Sequence, residues 1–88
     1  MTTLAVTWSP AWCGVLGQVV EGWAMYVEGD HRAVVFPNGF GWAVQEDAGH
    51  TVVAVRPSME EAKQAAVDWI LGLREISRTL RRLRLGEL

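Results

Sequence analysis

The sequence predicts an α+β domain in which an antiparallel β-sheet of three to five strands packs against one long C-terminal α-helix. Three observations predict it. Between Trp23 and Val55, short apolar runs alternate with turn dipeptides; at Ser58 a helix-start motif appears; from Ala62 onward apolar residues recur at helical spacing. The chain has 88 residues, half of them hydrophobic and 20% charged, which suits one small folded domain and excludes a disordered, solvating chain. Residues 1–88 therefore read as a single domain: an N-terminal segment of irregular chain and strand (1–22), a β-meander (23–55) and a helix (58–84).

In the N-terminal segment, Leu4–Trp8 and Val15–Glu21 each have strand character, with Ser9-Pro10 and Gly14 interrupting them. Trp23–Glu28 follows as an apolar-rich run that stops at Gly29-Asp30. Arg32–Phe36 is the next run, closed by Pro37-Asn38-Gly39, a hairpin signal because Asn-Gly accepts the positive φ angles of tight turns. Phe40–Gln45 returns with Phe40, Trp42 and Val44 on one face. After the Glu46–Gly49 turn, Thr51–Val55 is β-branched and is ended by Arg56-Pro57.

Ser58-Met59-Glu60-Glu61 has the form of a capping box, and its two acids suit the positive end of a helix dipole. Ala62, Ala66, Trp69, Leu73, Ile76, Leu80 and Leu83 then form one apolar stripe, weakened at Gly72. A helix continuous over the whole stripe outruns strands of five or six residues. Its Ile76–Leu80–Leu83 half thus needs another surface: the segment around Leu4, Val6 and Trp8, a second copy of the chain, or a foreign partner.

Charge is unevenly placed. Residues 74–88 hold five arginines against two glutamates, whereas residues 1–73 hold three basic side chains against eight acidic ones. Arg74, Arg78, Arg81 and Arg82 fall within one quadrant of a helix, opposite Ile76, Leu80 and Leu83. Such a face grips phosphates or carboxylates, or it is a solvated face that complements the dipole. The acidic excess elsewhere opposes contact with a nucleic-acid backbone. Glu21, Glu28, Asp30, Glu46 and Asp47 make an acidic β-face.

No catalytic pattern in the sequence is complete. Trp12-Cys13-Gly14 shares the opening of a thioredoxin-type Trp-Cys-Gly-x-Cys site, but position 16 is Leu, so the resolving thiol is missing. His31 and His50 lie beside turns without the convergent spacing of a metal site. Gly39-Phe40-Gly41 sits in a hairpin rather than opening a helix, so it is no dinucleotide fingerprint. No enzyme, metal or cofactor is expected. Trp42 and Trp69 fit the core, whereas Trp8 and Trp12 flank Ser9-Pro10 and are candidate anchors for a partner. No stretch is long and apolar enough for a membrane span or has a signal peptide's form; with a single cysteine, this places the protein in the cytoplasm.

The stretch Tyr26…Arg32-Ala-Val-Val-Phe-Pro-Asn-Gly-Phe-Gly-Trp42-Ala-Val…Ser58-Met-Glu-Glu-Ala-Lys-Gln-Ala-Ala66 resembles small phage and prophage proteins built from a Trp-containing β-meander and a capped Ala-rich helix. Anti-CRISPR proteins are one kind of small phage protein on this scale. The resemblance covers about residues 23–70 and transfers no functional residue. It implies a non-enzymatic protein that binds and inhibits a host complex in the host cytoplasm, with a CRISPR effector's nucleic-acid binding as the target. The candidate contacts are Trp8, Trp12, Glu28, Asp30, Glu46 and Asp47 together with Arg74, Arg78, Arg81 and Arg82. Two alternatives stand beside it: a nucleic-acid-binding module using the arginine face, and a homo-oligomeric structural protein, such as a homodimer, that buries Ile76, Leu80 and Leu83 between copies.

Overall fold

The computed structural model describes residues 5–84, with side chains through Leu73. Five strands, β1 (Val6–Val15), β2 (Gln18–Val27), β3 (Asp30–Pro37), β4 (Trp42–Glu46) and β5 (Val52–Arg56), precede one C-terminal helix, α1 (Met59–Arg84). The strands lie in the order β1-β2-β3-β4-β5, and each neighbour pair is antiparallel. The architecture is thus an α+β domain with a five-stranded meander.

Two-residue turns set the register of the first two hairpins. Leu16-Gly17 joins β1 to β2, and Glu28-Gly29 joins β2 to β3; all four residues have positive φ. That is the requirement of a type I′ turn, whose twist matches the twist of the strands it joins. The turn expected at Gly29-Asp30 therefore lies one residue earlier. Between β3 and β4 the Asn38 side chain accepts from the Phe40 N–H at 3.1 Å, and the Asn38 N–H donates to the Gly41 carbonyl at 3.1 Å. This Asx turn occupies residues 38–41. Phe40, expected on a strand face beside Trp42, instead stands in the turn and is 93% exposed.

The break expected at Ser9-Pro10 and Gly14 does not occur. β1 runs through both, pairing residue for residue with β2 from Val6↔Val27 to Val15↔Gln18. Pro10 is tolerated because β1 is a sheet edge, where a missing N–H removes no ladder bond.

Helix and sheet bury one main core. Met25, Val27, Ala33, Val35 and Val44 from the sheet meet Ala62, Ala66 and Ile70 from α1, with Val6, Trp8, Trp23, Trp42 and Trp69 packed around them. The Ser58 hydroxyl accepts from the Glu61 N–H at 3.2 Å, as the capping motif predicts. The buried helix row is 62-66-70, so Ile70 takes the place expected for Leu73, which is 37% exposed. Steps of four follow one ridge of the helix surface, and α1 meets the sheet along that ridge rather than along the straight 4-3-4-3 seam.

Candidate protein-docking surface

The β1–β2 hairpin is longer than the sheet beneath it, and its outer half forms an arm. β2 pairs with β3 only as far as Trp23↔Val35, so Gly22 is where β2 leaves the ladder. Gly22 is buried; a Cβ there would collide with the Val35 carbonyl oxygen and lie 3.2 Å from Phe36 Cβ. Its missing side chain lets the arm turn onto the sheet face that α1 does not cover. There Cys13, Phe36 and Ala43 form a second small core, flanked by Val15, Val20 and Val34. Burial pushes the Cys13 thiol above its ordinary value, which keeps it protonated and unreactive.

The other face of the arm is bare. Trp12 pairs with Glu21 and Gly14 with Val19, which places Trp12 and Val19 on the same side. They are 74% and 69% exposed, and Leu16 at the tip is 99% exposed. Leu16 also has φ 50°, a left-handed conformation that disfavours a branched apolar side chain. The matching position of the next hairpin carries the polar Glu28 at φ 52°. Leu16 thus adds backbone strain and contributes no burial.

A hollow of about 240 Å³ opens beside the arm, between Trp12, Cys13 and Gly14 on one side and Phe36, His31 and His50 on the other. His31 Nδ1 meets Asp47 Oδ1 at 2.9 Å, and the His31 ring lies 5.3 Å from that of Tyr26. His50 Nδ1 is 3.4 Å from the Gln45 amide. Among the described residues, no three His, Cys, Asp or Glu side chains converge as metal ligands would.

Alternate turns of a meander share one end of the sheet. Glu28 and Asp30 therefore lie at the same end as Glu46 and Asp47. Asp30 and Asp47 are exposed and Glu46 is half-buried. The Asp47 carboxylate is engaged by His31. Trp8 is packed against the main core, with the Lys63 ammonium 5.0 Å from its ring, so it is part of the fold's margin rather than a bare anchor. The side chains of Arg74, Arg78, Arg81 and Arg82, and of Ile76, Leu80 and Leu83, lie outside the described residues.

Sequence reasoning picked out Trp12 but missed Leu16 and Val19. The available signal was Leu16-Gly17 itself, an X-Gly pair between two β-prone runs. Reading Val15–Glu21 as one strand hid that turn. Among the described residues, no helix is long and apolar enough to cross a membrane. No family model, curated protein or solved structure matches the chain.

Proposed function

We propose that this chain is a non-enzymatic binding protein that acts by covering a surface of a partner protein, with the β1–β2 arm making the central contact. One observation carries the proposal: Leu16 is held in a strained backbone conformation at the arm's tip while 99% exposed. Folding gains nothing from an apolar side chain there, and strain retained without a folding benefit is a mark of function. Trp12 and Val19 extend the same apolar surface, and an exposed Trp is the side chain most enriched where interfaces concentrate their energy.

The concrete form of the proposal is the one implied by the resemblance: inhibition of a host complex that handles nucleic acid, such as a CRISPR effector. Glu46 and Asp47, which border the hollow beside Trp12, support it, because carboxylates set beside a docked arm repel or replace phosphates at a basic channel. The test titrates purified chain into a candidate effector bound to labelled target nucleic acid. Release of nucleic acid by the wild type, and not by a folded Trp12→Ala, Leu16→Asn double variant, supports the proposal. No effect of the wild type across candidate effectors, or equal release by the variant, overturns it.

A further inference from the structure

We infer that the groove between β5 and α1 is a second binding site, which takes an extended peptide segment with alternating apolar and basic residues by adding it as a sixth strand. The groove encloses about 740 Å³. Val53 and Ala54 on the strand and Ala65 and Trp69 on the helix form its half-buried floor; Glu61 and Asp68 stand exposed on its helix rim and outnumber Arg56, which lies at its strand end with its guanidinium on the Val55 carbonyl. A groove lying between an edge strand and a helix is the geometry in which strand addition combines main-chain bonding with side-chain selection.

The two sheet edges differ. On β1, Pro10 removes one amide from the edge, a common device against unwanted pairing. β5 reads Val-Val-Ala-Val-Arg, with neither proline nor an acidic residue. Gly41 closely approaches the Arg56 carbonyl, so that carbonyl faces β4. By alternation the Val55 carbonyl faces away from β4. It accepts from Arg56 Nη1 at 2.8 Å, a flexible side-chain contact that an incoming backbone N–H can replace.

Charge selects the occupant. A strand added to β5 points alternate side chains toward the helix rim and toward the open sheet face. On the rim side, a Lys or Arg stem covers Ala65 and Trp69 while its charge reaches Asp68 or Glu61. Asp68 is already oriented, accepting from Gln64 Nε2 at 3.0 Å. On the open side, Val52 and Val55, 49% and 42% exposed, offer an apolar neighbour. A second copy of the chain fits less well, because pairing β5 with its own equivalent brings two acidic rims together.

The test uses two capped hexapeptides, one alternating Val and Lys and one alternating Val and Glu, titrated into the full chain by calorimetry and amide-shift NMR. The inference predicts that the Lys peptide binds at least about tenfold more tightly than the Glu peptide and shifts the Val53 and Val55 amides. Glu61→Lys with Asp68→Lys should reverse the preference. N-methylation of alternate peptide amides on the pairing edge should abolish binding, with no change to the protein. Equal affinity for the two peptides, or affinity unaffected by N-methylation, overturns the inference. So does concentration-dependent dimerisation through β5 that the Lys peptide does not compete away. Trp12→Ala and Leu16→Asn should leave this binding unchanged, which separates its failure from failure of the arm.

Discussion

Lys63 places its ammonium nitrogen 3.9 Å from the centroid of the Trp23 ring. The same nitrogen lies 5.0 Å from the Trp8 ring, so one helical side chain roofs two tryptophans of the β1–β2 hairpin. Trp12 lies on the same face of β1 as Trp8, two pleats farther along, and has no such cover. The difference between a core-margin Trp and a bare one is therefore set by how far along the hairpin the Lys63 side chain reaches from α1. Lys63→Ala should cost about 1 kcal/mol and shift tryptophan emission to the red, while Lys63→Arg stays near wild type. Denaturant melts followed by fluorescence measure both.

Gly22 is the bend that carries the arm. Gly22→Ala should destabilise the fold by roughly 1–3 kcal/mol, because its Cβ has backbone rather than a movable side chain in its way. Gly14→Ala is the matched control on the paired strand, where nothing lies within 4 Å of the added carbon. It should be neutral, or more stable by up to about 1 kcal/mol through a less flexible unfolded chain. Urea midpoints of the two variants give the contrast.

Ile70, not Leu73, closes the helix–sheet core. Ile70→Ala should lose about 2–5 kcal/mol, and Leu73→Ala less than about 1 kcal/mol. Equal losses would mean that the helix meets the sheet along the 4-3-4-3 seam instead.

Cys13 gives the fold a pH signature. Its native thiol holds the proton more tightly than the ordinary value of 9.0 allows. Below the unfolded value both states are protonated and stability is unaffected. As pH rises through that value toward the raised native one, the unfolded state ionises first and stability falls. Thermal midpoints should decline above about pH 9 in the wild type more than in Cys13→Ala. Native Cys13 should also react slowly with thiol reagents.

Much of this fold is legible in the sequence, and the exceptions have physical causes. The meander from Trp23, the Ser58 cap and the α+β class follow from alternation, turn dipeptides and helix spacing, all local signals. The N-terminal strands were harder because Ser9-Pro10 and Gly14 are breakers in the interior of a sheet and harmless at its edge. Strand order decides that, and it is not a local property. Ile70 lay off the expected stripe because the crossing direction of α1, a tertiary choice, decides which ridge is buried. The candidate docking surface was half legible. Trp12 drew notice by residue type, while Leu16 became informative only through its φ angle and its exposure. The groove beside β5 had no sequence signal, since it exists only where an edge strand and a helix meet.

The central claim, that the arm's tip is kept for contact at the expense of the fold, is tested most directly at Leu16. Leu16→Asn replaces a strained apolar residue by the one that favours this turn position. The measurement compares the thermal midpoint with retention of partner proteins from a cell extract by immobilised wild type and variant at equal folded fraction. The predicted result is a variant more stable by about 1 kcal/mol that loses the partner retained by the wild type. A variant that retains the same partner equally well, or that is less stable than the wild type, would contradict the claim.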